Sequence, residues 1–264
     1  MPALRPFVAV LWTSDDAPRG ERGFGCEHAL PTGFMHLVFR LTEEPLRILR
    51  CAEDAHPVVL GGAVVGGART RFYIRQWSTP PRSVGAMLRP GAAAALFGAS
   101  ADELAERHTP LEDLWGCAAG DLRERLLGAG SPEGRLALLE SALAERLPRV
   151  RIMHPAIAAV IEEMGSLETV EAAVARSGLS HRHFIARFRE TIGLAPKAYM
   201  RVLRFQRALR GLRQGAGSLA VVAADAGYSD QAHLNREFLE IAGTTPATYR
   251  KLSPREANHL PAHR

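Results

Sequence analysis

Cysteine and long apolar runs are both scarce in this sequence. The three cysteines, Cys26, Cys51 and Cys117, are odd in number and far apart, which matches neither a disulfide framework nor a zinc knuckle. No stretch approaches the roughly 18 apolar residues that a membrane-spanning helix needs, and the first residues show no leader-like cleavage pattern. We therefore expect a cytoplasmic protein with no membrane contact, no metal and no cofactor.

Sequence signatures of common enzymes are also absent. The chain has no Gly-x-Ser-x-Gly elbow, which excludes the usual serine nucleophile of the α/β-hydrolases, and no Walker loop for nucleotide phosphates. Hydrophobic residues make up 47% and charged residues 23% of the 264 positions, as in ordinary globular proteins, so wholesale disorder is excluded. This length predicts one or two domains.

The positive charge is concentrated at one end of the chain. The formal net charge is +5, but residues 151–264 hold 16 basic and 10 acidic side chains, a net of +6. Residues 1–150 hold 17 basic and 18 acidic side chains, a net of −1. This asymmetry favours a polyanion-binding module in the last 114 residues and a different kind of partner for the first 150.

The first hundred residues have the pattern of short β-strands, and the next fifty that of short helices. Strands are predicted at 7–12, 34–40, 57–60, 69–77 and 84–89, separated by turn-like clusters at 15–20, 31–33, 61–62, 66–67 and 80–81. Helices are predicted at 91–97, 100–106, 110–117, 121–127 and 132–147. The prediction is an α+β protein of two domains with a boundary near 147–153. Residues 1–150 form a small β-barrel or sandwich with a helical tail, and residues 151–264 form an all-α domain.

The basic segment contains an internal repeat. Thr169 lies nine residues before Gly178, and Ser218 lies nine residues before Gly227, with an alanine-rich stretch in between. A glycine with positive φ ends a helix, and the serine two residues later is expected to cap the next one. Each copy therefore predicts a helix-turn-helix unit, and a long helix at 197–213 joins the two.

The second helix of each unit carries two apolar residues four positions apart, which fix its buried face. They are Phe184 and Phe188 in the first unit and Leu234 and Phe238 in the second. A proline follows each helix, and the second is Pro246. Two units in register on a basic background predict DNA binding rather than an ordinary helical hairpin.

Residues 166–252 resemble the DNA-binding domain of the AraC/XylS family of bacterial transcription regulators. The motifs that carry the resemblance are Gly227-Tyr228-Ser229, Phe238, and Gly243-Thr244-Thr245-Pro246 followed by Tyr249-Arg250. The resemblance implies a sequence-specific transcription regulator that binds double-stranded DNA. Through softer motifs such as those at 30–33 and 88–91, residues 1–150 resemble an uncharacterised domain attached to such regulators.

A recognition helix offers the face opposite its buried residues to base edges in the major groove. Relatives in this family use the positions of Arg182, Ile185 and Ala186, of which only the arginine reads donors and acceptors. The second helix is chemically richer, since amide and guanidinium groups read bases bidentately. The candidate base contacts are Arg182, Ile185, Ala186, Gln231, His233, Asn235 and Arg236.

Phosphate contacts are expected at helix N-termini and from nearby basic side chains. The candidates are Thr169, Arg189, Ser218, Arg250 and Lys251. The linking helix adds arginines at three-residue spacing, which spiral around it, so we expect some of them to pair with acids or brace the two units. These are Arg201, Arg204, Arg207, Arg210 and Arg213.

Residues 1–150 are predicted to be a sensor or dimerisation domain, with a small-molecule effector or a second copy of the chain as partner. His36, on a strand between apolar neighbours, is placed to point into a barrel. The alternative from another class is a DNA-binding module fused to a catalytic domain, such as an alkyl-transfer repair protein that uses an activated cysteine. That chemistry needs a cysteine beside a base or zinc, and the spacing of the three cysteines offers neither, so we predict no enzyme.

Overall fold

The structure is a computed structural model that describes residues 2–14, 25–51, 54, 56–78, 82–148, 153–167, 169–215 and 217–262. Its strands are β1 (Val8–Ser14), β2 (Gly25–Ala29), β3 (Met35–Arg40), β4 (Leu46–Leu49), β5 (Val58–Leu60), β6 (Ala63–Gly66), β7 (Tyr73–Trp77), β8 (Ser83–Leu88), β9 (His108–Pro110) and β10 (His259–Pro261). The turns predicted at 15–20 and 80–81 lie outside the described residues.

The strands form two antiparallel sheets. The first sheet has the order β1-β8-β3-β6-β9 and the second has the order β10-β2-β7-β4-β5. Within the described residues neither sheet closes on itself, so the barrel alternative is wrong and the sandwich alternative is confirmed. A small apolar cluster that includes Ile48 and Leu60 of the second sheet and Val64 of the first joins the two sheets.

Strand β3 shows how the first sheet divides its two faces. Met35, Leu37 and Phe39 alternate along it and are buried in the large core, which also takes in the helices that follow the sheets. The intervening residues His36 and Val38 lie on the face turned toward the second sheet, where Val38 packs on the small cluster. The period of two thus sends apolar side chains to the helical layer and leaves a polar one between the sheets.

The helices of the first part follow the sheets, and those of the second part form the repeat. They are α1 (Ala92–Phe97), α2 (Ala101–Leu104), α3 (Glu112–Trp115), α4 (Cys117–Gly128), α5 (Pro132–Arg146), α6 (Pro155–Glu163), α7 (Val170–Ser177), α8 (His181–Ile192), α9 (Pro196–Arg213), α10 (Leu219–Ala226), α11 (Gln231–Ala242) and α12 (Pro246–Leu252). The first unit is α7 and α8, the second unit is α10 and α11, and α9 joins them.

The turns of both units have the predicted chemistry, with one exception. Gly178 and Gly227 have φ values of 66° and 86° and end α7 and α10. Ser180 caps α8 by accepting the His183 N–H. The second unit contains one more residue after its glycine, and the cap of α11 is Asp230, so the prediction of a serine cap at this turn is wrong.

The end of the chain returns to the N-terminal sheets. His259, Leu260 and Pro261 form β10, which pairs with β2 at the edge of the second sheet. This strand was not predicted, and it adds a β element to the otherwise helical segment after residue 153. Most of the boundary predicted near 147–153 lies outside the described residues, which stop at 148 and resume at 153.

The two units pack on different parts of the first 150 residues. Phe184 and Phe188 of the first unit belong to the large core that also holds Leu37 and Trp115. The second unit has its own core, which takes in Leu30 from the segment after β2. Both recognition helices are therefore held by contacts outside their own unit.

Candidate nucleic-acid interface

Helix α8, the recognition helix of the first unit, has a fully buried aromatic face. Phe184 and Phe188 pack with tilted rings at 5.5 Å between ring centroids, and Phe188 also meets the Tyr199 ring of α9 edge-on at 5.7 Å. On the other side Arg182 and Ala186 are exposed, as the sequence predicts. Ile185 is half-buried and packs against the large core, so it offers only part of its side chain to the outside.

Helix α11, the recognition helix of the second unit, is anchored by Leu234 and Phe238, which are fully buried. The Phe238 ring lies 5.0 Å from that of Phe205 and 5.8 Å from that of Tyr249, so α9, α11 and α12 share one aromatic cluster. Pro246 is buried at the start of α12. On the opposite side of α11, Gln231 and Arg236 are exposed and Asn235 is half-buried.

The structure places His233 differently from its neighbours. Its ring meets the buried Tyr228 ring edge-on at 5.1 Å, and its Nδ1 lies 3.1 Å from the Ser229 hydroxyl. Its Nε2 is 3.9 Å from the carboxylate of Glu237, which is itself buried. The ring is thus directed toward the interior of the unit, whereas Gln231 and Arg236 are directed outward.

Glu237 is a buried charged residue of α11 that was not predicted from the sequence. Its carboxylate accepts hydrogen bonds from the guanidinium groups of Arg201 at 3.1 Å and Arg204 at 2.8 Å. Burial alone would raise the pKa of Glu237, but the hydrogen bonds and charges of these two arginines hold it below its ordinary value. The cluster fixes the orientation of α11 relative to α9.

A sequence signal for this cluster does exist. The arginines of α9 recur every third residue, and Glu237 and Glu240 are three residues apart on α11, which matches that spacing. In the structure Arg201 bonds both acids, with Glu240 at 3.0 Å.

The prediction that some arginines of the linking helix pair with acids is confirmed by Arg201 and Arg204. Besides Arg201 and Arg204, Arg207 donates to the carbonyl of Gly165, and Arg213 donates to that of Arg255 at 3.3 Å. Arg210 is exposed.

Of the five predicted phosphate contacts, four are exposed and one, Arg250, is half-buried. The Thr169 and Ser218 hydroxyls cap α7 and α10 by accepting the N–H groups of the third helical residues, and both residues are exposed. Arg189 and Lys251 are also exposed. Arg250 is half-buried and donates to the Gly217 carbonyl at 3.1 Å, which places its guanidinium against the loop that leads into α10.

Polar side chains also gather between the sheets. His36 of β3 lies 3.0 Å from the Thr32 hydroxyl, and His108 of β9 lies 2.8 Å from Arg69. On the second sheet Glu27 forms an ion pair with Arg75 and lies 2.8 Å from Nδ1 of His259 in β10. Burial, followed by the positive charges of His259 and Arg75, lowers the pKa of His36 to about 4. The prediction that His36 points toward the interior is consistent with this environment.

His36 and His108, which are both partly buried, make folding stability depend on pH. Burial and the charge of Arg69 lower the pKa of His108 to about 3, whereas an unfolded histidine has a pKa near 6.5. The unfolded state therefore binds more protons below pH 6.5, and stability falls as the pH falls from there toward 4. Between pH 7 and pH 5 we expect each histidine to cost about 1–2 kcal/mol of the free energy of unfolding.

Urea unfolding of the wild type and of His36→Gln at pH 7 and pH 5 measures this loss of the free energy of unfolding. Glutamine does not titrate, so the loss becomes smaller by the share of one histidine. Glu27 lies outside this window, because its pKa is lowered to about 2 by Arg75 and His259 against the effect of burial. An equal loss in the wild type and the variant contradicts the assignment.

None of the three cysteines is buried. Cys51 and Cys117 are exposed and Cys26 is partly exposed on β2. Within the described ranges no cluster of three or more His, Cys, Asp or Glu side chains is arranged to hold a metal ion. Among the helices of the described segments, none is both long and apolar enough to span a membrane.

Two family models match the chain. A model described as "Helix-turn-helix domain" matches residues 173–252, which contain both units. A model described as "Domain of unknown function (DUF6597)" matches residues 1–110, which contain β1 to β9. The two matches divide the chain into a sheet-containing part and a helix-turn-helix part.

Curated relatives match the helical part. A putative AraC-like transcription regulator of Streptomyces lividans is 39% identical over 80 residues, which cover 30% of this chain and 25% of the relative. The HTH-type transcriptional regulator GlxA of Rhizobium meliloti is 35% identical over 107 residues, which cover 38% of this chain and 32% of the relative. The chain therefore spans about a quarter to a third of the length of these relatives.

A solved structure also matches this part. The DNA-binding domain of the transcriptional factor AdpA, crystallised with a target DNA, is 30% identical and covers 37% of this chain and 92% of that one, with a TM-score of 0.35. The family model and the aligned regulators match the segment in which the structure shows the two helix-turn-helix units. Residues 173–252 are therefore a helix-turn-helix domain similar to those of AraC-like transcription regulators.

Proposed function

We propose that this protein is a sequence-specific transcription regulator that places its two recognition helices in successive major grooves on one face of double-stranded DNA. The observation that carries the proposal is the outward face of α11. There Gln231 and Arg236 are exposed on a helix whose other side is anchored by fully buried Leu234 and Phe238. These are the side chains that read adenine and guanine edges bidentately.

The two recognition helices contribute unequally to base recognition. On α8 Arg182 reads a base edge, while Ala186 and the exposed part of Ile185 touch thymine methyl groups. On α11 Gln231, Asn235 and Arg236 supply the main sequence discrimination. His233 takes part through its packing against Tyr228, which holds the first turn of α11 in place.

Phosphate contacts position the domain on the duplex. The N-termini of α7 and α10, capped by Thr169 and Ser218, approach the backbone on either side of the grooves. Arg189 and Lys251 add positive charge. Arg250 stabilises the N-terminus of α10 for its phosphate contact, since it donates to the carbonyl of Gly217 immediately before the Ser218 cap.

We further propose that residues 1–150 form the regulatory domain of this cytoplasmic protein and change how residues 151–264 engage DNA. The polar side chains between the sheets, around His36 and Arg75, are the candidate contacts for a small-molecule effector, and a second copy of the chain is the alternative partner. The proposal gives this domain no catalytic step.

Selection from a random double-stranded DNA pool with the full-length protein tests this function. We expect an asymmetric site with two half-sites about 10 base pairs apart. The affinity for it should fall steeply with salt, because each neutralised phosphate contributes a slope of about −0.9 in log K against log salt. A pool without enrichment, or an affinity that ignores salt, contradicts the proposal.

A further inference from the structure

Both recognition helices end in a glycine that touches the N-terminal part of the chain. The last carbonyl groups of a helix have no donor within the helix and need partners elsewhere. Gly193 ends α8 with φ of 94°, and Gly243 ends α11 with φ of 70°. In both places donors from the first 105 residues reach the orphan carbonyls.

At the end of α11 the partners are His28 of β2 and Phe72 just before β7. The Phe72 N–H donates to the Ile241 carbonyl at 2.8 Å, and Nδ1 of His28 donates to the Ala242 carbonyl at 3.1 Å. The two rings stack at 4.3 Å between centroids. They lie directly over Gly243, where an added Cβ would be 2.5 Å from the Phe72 ring.

At the end of α8 the partners are the segments at the start of α1 and α2. The Gly91 N–H donates to the Thr191 carbonyl at 3.1 Å, and the Ser100 hydroxyl donates to the Glu190 carbonyl at 3.4 Å. The approach at Gly193 is again too close for a side chain, because an added Cβ would be 2.8 Å from the Ala101 carbonyl oxygen.

The linking helix α9 rests on the same part of the chain between these two contacts. Gln206 donates to the Pro31 carbonyl at 2.7 Å, and an added Cβ on Gly33 would be 3.2 Å from the Tyr199 ring. Three contacts along one surface therefore hold α8, α9 and α11.

We propose that the N-terminal domain acts as a template that fixes the distance and rotation between the two recognition helices, with Phe72 and His28 as positioning residues. The inference rests on the proposed function, because it concerns how that function selects its site. The helices are held at their C-terminal ends, whereas base contacts come from N-terminal residues such as Arg182 and Gln231. The template therefore leaves the reading faces free and controls the spacing of the half-sites.

The expected effect follows from DNA geometry. One inserted base pair between the half-sites moves one relative to the other by about 3.4 Å and about 35°. Two recognition helices that are held at three points cannot move apart and rotate to match the shifted half-site. Two helices joined only through α9 can make part of that movement.

The experiment uses the full-length protein and the site obtained by selection, with zero, one or two base pairs inserted between the half-sites. For the wild type we expect affinity to fall by at least about 10-fold per inserted base pair, the size of one lost specific contact. For His28→Ala with Phe72→Ala we expect this penalty to shrink to about 3-fold or less. The matched control is Val59→Ala on the exposed strand β5, which keeps the wild-type penalty.

The possible outcomes separate the template from the function it rests on. No binding of the wild type to any selected duplex overturns the proposed function. Binding with the same spacing penalty in wild type and double variant, or with no penalty in the wild type, overturns the template alone. If the double variant does not fold, Arg71→Ala with His28→Ala keeps the Phe72 ring but removes the Glu240 ion pair, and it gives the same contrast.

Discussion

Replacing Glu237 by alanine should lower the free energy of unfolding by about 3 kcal/mol and abolish DNA binding by the second unit. The carboxylate is buried between Arg201 and Arg204, and removal of one partner of a buried ion pair costs about 3–5 kcal/mol. The lower end applies because the arginine side chains remain 32% and 26% exposed and regain water. Chemical denaturation of the full-length protein measures the loss.

Glu240 provides the matched control for this experiment. It lies one turn further along α11 and also bonds Arg201, but its side chain is 40% exposed. Glu240 also pairs with Arg71, and an ion pair of an exposed carboxylate contributes about 0–1 kcal/mol, so loss of both pairs in Glu240→Ala should cost at most about 2 kcal/mol and less than Glu237→Ala. Similar losses in the two variants would show that Glu237 does not hold α11 on α9.

Arg236→Ala should have the opposite profile, with a large effect on DNA and almost none on folding. A bidentate contact between arginine and guanine carries about 1–3 kcal/mol of discrimination, which corresponds to about a 5- to 150-fold loss of affinity. Specificity should relax at one base pair of the selected site. Arg236 is exposed on α11, so the free energy of unfolding should stay within about 0.5 kcal/mol of the wild type.

Arg47→Ala removes the same charge from an exposed position on β4, in the part of the chain that the proposal keeps away from DNA. Its affinity should remain close to that of the wild type, which separates a local contact from the effect of net charge. An unchanged affinity and footprint in Arg236→Ala would refute the assignment of α11 as the base-reading helix.

The sequence predicts the helical part well because its signals are local. Gly178 and Gly227 end their helices with positive φ, as expected, since glycine adopts that backbone with no steric cost. The buried pairs of α8 and α11 follow from a spacing of four residues. The Asp230 cap was missed because Ser229, one position earlier, has the same chemistry.

Five strands were predicted, namely β1, β3, β5, β7 and β8. The interpretation missed β2, whose sequence Gly-Cys-Glu-His-Ala lacks an apolar alternation, and β4, β6 and β9, which have three or four residues each. These strands exist through pairing with neighbours, which a single sequence does not display. The contact between His28 and Ala242 spans 214 positions and leaves no local pattern.

The candidate site also contains residues whose placement the sequence predicts and residues whose placement it does not. The outward positions of Arg182, Gln231 and Arg236 follow from helical periodicity once the buried face is known. The inward turn of His233 does not, because it depends on Tyr228 and Ser229 at the turn. The cluster around Glu237 depends on how α9 crosses α11, which tertiary packing decides.

The pairing of β10 with β2 limits how this protein can recombine with others. A regulator whose two parts meet only through a linker can exchange its DNA-binding part by a single crossover. Here the last strand of the chain completes the sheet of the first part, and Glu27 bonds His259 across that seam. A hybrid joined near residue 150 would leave the edge of β2 open, and open edges recruit other strands and aggregate. The two parts therefore share one hydrogen-bonded sheet edge, which an exchange of either part would break.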